Sequence, residues 1–429
     1  MEAKLKILII GGGGREHAVG WKVEQSYRAG EIFFAPGNAG TAQLGTNVDI
    51  KTTDISALLE FAKKEQIDLT LALPDDPLAL GIVDEFQKAN LRIWGPTQAA
   101  AKLEWSKAFA KGFMARHNLP TAKFNVFNNL EDAKTYLADQ MLPIVIKASG
   151  LALGKGVLIC ETREDTDQAL KDIFVKKIFG EAGQEIVIEK FLAGPEISIH
   201  VFADGKNYKI LPPSQDHKKI GENDTGPNTG GMGTIAPLPF VDEVMLKEIE
   251  KTIVAPAIAA LAAEGAPFSG LLYPGLMLTK DGPKILEFNA RFGDPETQVY
   301  LRLLENDILD IFDAGIDCKL DGLELKWKNA FAANIVLVSD GYPGNYAKGK
   351  IISGVTDAET MPDIVIFHAG TKMEKSDLVT NGGRVLGVSA TGSTLAEALD
   401  KAYKAVEKIS FEGMQYRKDI GKKALEMLK

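Results

Sequence analysis

A chain of 429 residues with 45% hydrophobic and 25% charged side chains has the size and composition of a soluble globular protein built from roughly two to four units. Its formal net charge of −9 at pH 7 argues against a role coating nucleic acid, so any anionic partner needs local clusters of Lys, Arg or backbone N–H groups. Cys160 and Cys318 make neither a metal spacing nor a disulfide framework, and no apolar run reaches spanning length, so a cytoplasmic setting with no membrane partner is expected.

Leu5 to Ile10 is a continuous apolar run, the pattern of a parallel strand covered on both faces, and too short for the core of a signal peptide. It enters Gly11-Gly12-Gly13-Gly14-Arg15-Glu16-His17 and then a helical pattern through Ala18, Val19, Trp21 and Val23. Strand, glycine loop and helix N-terminus together suit an anion, and a phosphate is expected there. Glu16 stands where the third glycine of a dinucleotide fingerprint belongs, and no acidic ribose residue ends the second strand. A nicotinamide-dependent dehydrogenase is therefore disfavoured. Ile32 to Ala35 reads as a strand ending at Pro36-Gly37-Asn38-Ala39-Gly40. A helix within Asp54 to Lys64, a strand at Leu69 to Leu73, Pro74-Asp75-Asp76-Pro77 and another helix follow. Small and polar residues at strand ends are where ligands sit in an open parallel sheet. The unit closes near Gly95-Pro96.

Lys102 to His117 reads as one helix carrying Lys107, stopped by Pro120. A second α/β unit begins at Phe124, with a helix over 130–139, a strand at Ile144 to Lys147, the loop Ala148 to Gly156 and a strand at Val157 to Cys160. Lys147 at a strand end and Lys155 in a glycine-rich loop, between Gly154 and Gly156, offer point charges and exposed N–H groups to phosphates. No Ser or Thr follows Lys155, so this is not a Walker A loop. A helix over 164–178 leads to the strand Ile186 to Lys190, then Phe191-Leu192-Ala193-Gly194-Pro195-Glu196 and the strand Ile197 to Phe202. The kink between those strands leaves backbone groups suited to an adenine edge, with Glu196 placed to accept from ribose hydroxyls.

Leu211 to Gly233 has little periodicity over more than twenty residues, which marks a functional loop rather than a spacer. His217 within it is assigned a structural place, not a catalytic one. A helix over 242–263 and a strand from Leu271 to Thr279 follow, joined by the Asp281-Gly282 turn to the strand Lys284 to Asn289. Strand alternation places Leu286 and Phe288 on the core face, and Glu287 and Asn289 on the other, roughly 7 Å apart. A carboxylate and an amide oxygen side by side suit a hard cation shared with substrate phosphates. Arg291, the Gly293-Asp294-Pro295 turn and a helix from Glu296 complete what reads as a site. After Asn329, Phe331 to Val338, Ile364 to His368 and Arg384 to Ser389 read as strands and Thr394 to Ile409 as an amphipathic helix, a closing unit without phosphate-type loops.

Together these segments resemble the ATP-grasp enzymes. Within them, Gly11-Gly-Gly-Gly-Arg-Glu-His-Ala18, Pro36-Gly-Asn-Ala-Gly40, Gln215-Asp-His-Lys218, Asp224-Thr-Gly-Pro-Asn-Thr-Gly-Gly-Met-Gly233 and Leu286-Glu-Phe-Asn-Ala-Arg-Phe-Gly-Asp-Pro-Glu-Thr-Gln298 resemble the phosphoribosylamine–glycine ligase family. Gly341-Tyr-Pro-Gly344 and Asn381-Gly-Gly-Arg-Val-Leu-Gly387 extend the resemblance nearly to the end of the chain. It implies an α/β ATP-grasp fold: an N-terminal doubly wound parallel α/β substrate domain (1–104), an ATP-grasp domain (105–329, lid about 124–192) and a C-terminal mixed α+β closing domain (330–429). It implies joining glycine to 5-phosphoribosylamine in de novo purine synthesis, with ATP converted to ADP and phosphate through a glycyl phosphate. A monomer using Mg²⁺ or Mn²⁺ is expected.

The resemblance further implies Glu287 and Asn289 as metal ligands. ATP contacts would come from Lys107, Lys147, Gly154, Lys155, Gly156, Glu189, Lys190, Leu192 and Glu196. Gly12, Gly13, Gly14, Asn38, Ala39, Gly40 and Asp75 would hold the phosphoribosyl part, with Arg291 on the glycine carboxylate and Asp216 near its ammonium. The loop 149–156 and its subdomain would be the lid, because an acyl phosphate must be kept from water. Three positions depart from the family pattern. Leu73-Pro74-Asp75 stands for Gly-Pro-Glu, Ser149 replaces an Asp in Lys147-Ala-Ser-Gly150, and Leu271 to Leu278 lacks the acidic metal ligand many ATP-grasp relatives carry. Another ATP-grasp ligase or a carboxylase would differ in its acceptor.

Overall fold

Leu5–Gly11 lies at the centre of a five-stranded parallel sheet in a computed structural model that describes residues 4–151 and 156–428. The strands run in the order Thr46–Asn47, Ala29–Pro36, Leu5–Gly11, Leu69–Ala72, Ile93–Trp94. Ile7 and Ile9 enter one hydrophobic cluster and Leu8 and Ile10 another, all four without solvent exposure. The unbroken apolar run therefore feeds a core on each side of the sheet.

The stretch expected to form the lid contains a four-stranded antiparallel sheet, called the lid sheet below, in the order Phe124–Phe127, Ile186–Lys190, Ile144–Ala148, Val157–Cys160. It has its own small core, in which Ile144, Ile146, Ile186 and Ile188 meet Ala133 and Leu137. Period-2 alternation then sends Val145, Lys147 and Glu189 to the opposite face, towards the body of the protein. The facing sheet pairs Gly282–Asn289 with Ser269–Thr279, which also pairs Glu196–Ser198 and Val201–Asp204. Here the alternation expected from the sequence fails by one residue. The pairing shifts register between Gly275 and Leu276, so Ile285 takes the core position assigned to Leu286. Leu286 is left half-buried on the cleft side, as a bulge requires.

Two further readings change. The single helix expected over Lys102 to His117 is two, Gln98–Trp105 and Lys107–Arg116. Ser106 adopts an extended φ of −130° between them, and its Oγ accepts from Phe109 N at 3.3 Å, so a capping side chain broke a helical pattern that apolar spacing alone ran through. The aperiodic stretch 211–233 contains the short strands Gln215–Asp216, Lys219–Gly221 and Thr225–Asn228, of two to four residues each, too brief to show alternation. Gln215–Asp216 and Gly233–Ala236 join Phe331–Val338, Arg384–Gly392 and Ile364–His368 in one sheet, so the C-terminal sheet borrows its edge from the middle of the chain.

The stretch that follows Gln215–Asp216 is tied to the C-terminal segment by Arg417, whose guanidinium donates to Asp419 (2.8 and 2.9 Å), to Asp224 Oδ1 (2.9 Å) and to Lys219 O (3.1 Å). Its side chain is 1% exposed. Removing Arg417 leaves the mostly buried Asp419 uncompensated, while the exposed Asp224 keeps its pairing with Lys423. Arg417→Met is expected to cost about 3 kcal/mol, read as a lower urea midpoint, and an unchanged midpoint would show that the network contributes nothing.

Candidate active site

A cleft of ≈ 1320 Å³ opens between the lid sheet, the Gly282–Asn289 strand and the C-terminal sheet. Three elements converge on it. Lys147 and Glu189 come from the lid face, Lys107 from the first residue of the helix after Ser106, and Glu287 and Asn289 from the strand opposite. Ser149, one of the departures from the family pattern, pins that helix: Lys107 N donates to its carbonyl at 2.8 Å and Ala108 N to its Oγ at 3.1 Å.

Lys147 Nζ reaches Glu189 Oε1 at 2.5 Å and Leu286 O at 3.1 Å. Lys111 Nζ takes the other oxygen of Glu189 at 2.5 Å. Burial lowers the Lys111 ammonium to about 8, helped by the charge of Lys147. Burial pushes the Glu287 carboxyl up, but Lys107, Lys147, Lys218 and Arg291 outweigh it and hold it below the usual carboxylate range. Among the described residues no protein donor lies within hydrogen-bond distance of that carboxylate. Asn289 Nδ2 points to Tyr273 O at 3.4 Å, which turns Oδ1 the other way, where Arg291 donates at 3.3 Å. An anionic carboxylate without a donor, beside an oriented amide oxygen, fits a hard divalent cation. The strand Ser269–Thr279 adds no carboxylate, and among the described residues no group of three or more His, Cys, Asp or Glu forms a further metal cluster.

Beside Asn289 the cleft carries a buried polar cluster. Arg291 pairs with Glu104 Oε1 at 3.0 Å, while Glu104 Oε2 accepts from Ala290 N at 2.7 Å and Arg291 Nε has no partner among the described residues. Burial pushes the Asp216 carboxyl up to about 7 against the charge of Lys218, whose Nζ lies 3.3 Å away, and one Asp216 oxygen makes no hydrogen bond among the described residues. Glu296 Oε1 accepts from Tyr273 Oη at 2.7 Å. Arg384 pairs with Asp294 at 2.8 Å.

The expected site residues divide accordingly. Lys107, Lys147, Gly156, Glu189, Lys190, Leu192 and Glu196 line the cleft, as do Asp75, Asp216, Glu287, Asn289 and Arg291. Gly154 and Lys155 lie outside the described residues. Gly12 and Asn38 face a second, shallower pocket with Lys51, Thr52 and Asn381. Gly13, Gly14, Ala39 and Gly40 line neither, although Gly13 and Gly14 pack beside Asp294. The glycine loop is not an open anion cradle at Gly13, because the Glu16 carboxylate already accepts from Gly13 N at 2.6 Å and pairs with Arg15 at 2.6 Å. The Asn38 amide is equally committed: Oδ1 accepts from Gly40 and Thr41 N, and Nδ2 donates to His368 O at 2.8 Å. His217 is structural, Nδ1 donating to Gly233 O and Nε2 accepting from Gly421 N, each at 3.0 Å.

Glu104, Lys111, Lys218, Tyr273, Glu296 and Arg384 received no role from the sequence. A charge on the buried face of a helix was the available signal for Glu104 and Lys111; Lys111 lies four residues, about one turn, after Lys107.

Three models of phosphoribosylglycinamide synthetase match in order: the N domain over residues 5–104, the ATP-grasp (A) domain over 105–297 and the C domain over 332–423. The chain is 49% identical over 424 residues to a phosphoribosylamine–glycine ligase of Vibrio vulnificus (strain CMCP6), covering 98% of this chain and 99% of that one. It is 47% identical over 416 residues to one from Caldanaerobacter subterraneus subsp. tengcongensis, covering 97% and 99%. The crystal structure of the Thermotoga maritima phosphoribosylamine–glycine ligase superposes with a TM-score of 0.82 at 37% identity, covering 97% of this chain and all of that one. The biotin carboxylase domain of the Hydrogenobacter thermophilus 2-oxoglutarate carboxylase has a TM-score of 0.71 at 15% identity over 97% and 92%, which shows a shared ATP-grasp architecture.

Proposed function

The chain belongs to the phosphoribosylglycinamide synthetase family, and from that membership we propose that its cleft joins glycine to 5-phosphoribosylamine by way of a glycyl phosphate. The overall activity is that of the family: an ADP-forming ligase that makes glycinamide ribonucleotide for purine biosynthesis, using ATP and a divalent metal ion. Mg²⁺ or Mn²⁺ on Glu287 and Asn289 would neutralise charge on the terminal phosphates when bound.

The remaining work falls to the chain. Adenine lies against the backbone of Glu189 to Leu192 and ribose against Glu196, whose burial raises its carboxyl. Lys107 and Lys147 hold the phosphates, together with the loop that carries Gly154, Lys155 and Gly156. Arg291, anchored by Glu104, orients the glycine carboxylate, and Asp216 takes the ammonium. An ammonium beside Asp216 lowers its carboxyl again, so glycine meets a carboxylate. Phosphoribosylamine lies against Asp75; Gly13 and Gly14 pack behind Asp294, which lines the same cleft, whereas Gly12, Asn38, Ala39 and Gly40 stand outside it. Arg15, Lys348 and Arg384, which also line the cleft, supply positive charge for its phosphate. A glycine carboxylate oxygen attacks the γ-phosphorus and ADP leaves. The amine nitrogen then attacks the acyl carbon, phosphate departs with that oxygen, and the proton lost from the amine leaves on the phosphate. Phosphoryl transfer of this kind needs positioning and charge neutralisation more than covalent help. Closure of the lid (124–192) excludes water from the acyl phosphate. Domains of 1–104, 105–329 and 330–429, a monomer and a cytoplasmic setting complete the reading; no described helix is long and apolar enough to cross a membrane.

The observation that carries this reading is the Glu287 carboxylate, unpartnered among the described residues and held anionic by Lys107, Lys147, Lys218 and Arg291 in one cleft. Its test is a turnover with carboxyl-¹⁸O glycine and freshly made phosphoribosylamine. One labelled oxygen is expected in the released phosphate for each ADP formed. Unlabelled phosphate would refute the glycyl phosphate, and no glycine-dependent ADP release would refute the acceptor pair.

A further inference from the structure

Lys111 has no part in the chemistry above, yet its side chain is 2% exposed and its ammonium sits at the joint between lid and body. Nζ touches Glu189 Oε2 at 2.5 Å and donates to Thr121 Oγ1 at 2.7 Å, and Thr121 Oγ1 donates to Ile285 O at 2.7 Å. Lys147 makes the parallel link, from Glu189 Oε1 to Leu286 O. Two ammoniums thus share one buried carboxylate, and each ties the lid strand Ile186–Lys190 to a neighbouring carbonyl of the strand that carries Glu287.

The sharing matters because Lys147 has two possible partners. A single buried lysine beside Glu189 would be held by the full attraction of an ion pair in a poorly screened site, and separating such a pair is costly. With Lys111 present, the carboxylate keeps a counter-charge when Lys147 turns away. We propose that Lys111 is a positioning residue for ATP, holding Glu189 so that the Lys147 ammonium can turn to the nucleotide's phosphates. The proposal rests on the assignment of Lys147 to ATP given above.

It predicts coupling between positions 111 and 189. The measurement is titration of the full chain with Mg²⁺ and a non-hydrolysable ATP analogue, alongside KM for glycine. Lys111→Met is expected to weaken analogue binding about tenfold while KM for glycine stays within about twofold, and Lys111→Arg, which keeps the charge, to bind within about threefold of the native chain. In a Glu189→Gln background the same Lys111→Met change is expected to cost less than about twofold, because no carboxylate is left to compete for Lys147. A lysine that only supported the fold would lower active-site content and kcat without changing analogue affinity. Equal losses in both backgrounds, or no loss in either, would overturn the proposal. If Lys111→Met does not fold, Lys111→Gln keeps a donor without the charge and carries the same expectation. A native chain that fails to bind the analogue would instead refute the ATP assignment itself.

Discussion

Glu287→Gln is expected to reduce glycine-dependent ADP release at least about a thousandfold, with the melting temperature nearly unchanged. The substitution keeps the shape of the side chain and one carbonyl oxygen, so packing around Phe288 and Ile285 has no reason to alter. What it removes is the negative charge that Lys107, Lys147, Lys218 and Arg291 hold in place. The amide at position 287 and Asn289 would then both be neutral oxygen ligands, and a hard cation binds neutral amides less well than a carboxylate. The loss should therefore be accompanied by a higher metal-ion concentration for half-maximal rate. Metal-free ATP meets one fewer negative charge in the variant and should bind no more weakly than to the native chain. That split separates a lost metal ligand from a damaged cleft. A variant retaining more than about a tenth of native activity would show that Glu287 does not hold the metal, and the chemistry placed around it would fall.

Local patterns make much of this legible in the sequence. Ile7 to Ile10 announce a strand covered on both faces, and the structure puts alternate residues into two cores. The lysine at the end of Ile144–Ala148 faces the cleft because Ile144 and Ile146 fill the lid core, a consequence of alternation alone. Where the reading missed, the deciding interaction was non-local or came from a single side chain. The register shift at Gly275 depends on the partner strand, so nothing near Leu286 reveals that Ile285 will take the core position. Ser106 splits a helix by capping. Glu16 occupies the Gly13 N–H that a phosphate was expected to take, and pairs with Arg15, which in turn donates to Phe292 O, 277 residues away. Glu104 and Lys111 were hidden for the same reason: a charge on a buried helix face declares that it has a partner, but not which one.

Stability is expected to fall steeply as pH drops below 6.5, because four histidines are buried in the neutral form. Burial lowers His17 and His200 to about 3 and His217 and His368 to about 4; the charge of His368 adds to the shift at His17, and Glu296 opposes it at His200. In the unfolded chain each returns to about 6.5, so below that pH the unfolded state binds the extra protons. The stabilisation is complete above 6.5 and lost progressively down to 3–4, at about 1.4 kcal/mol per pH unit for each histidine. Asp216 has the opposite sign. Its raised carboxyl takes up a proton near 7 in the folded chain, which offsets about one histidine over the same range. The urea midpoint should therefore decline between pH 6.5 and 5 with a slope that steepens from about one proton towards at most about three, less what the raised carboxyls of Glu104 and Glu196 take up, and a flat midpoint would show that these histidines are not held neutral. Geometry indicates where the molecule loosens first. His17 Nδ1 accepts from His368 N at 2.7 Å, joining the N-terminal helix Gly14–Glu24 to the C-terminal sheet, and His217 Nε2 accepts from Gly421 N. A proton on either nitrogen removes the acceptor that the bond needs. Protection of the His368 and Gly421 amides, taken relative to the intrinsic exchange rate at each pH, should accordingly fall on mild acidification before that of the lid amides of Ile186 and Ile188, since the lid core contains no histidine.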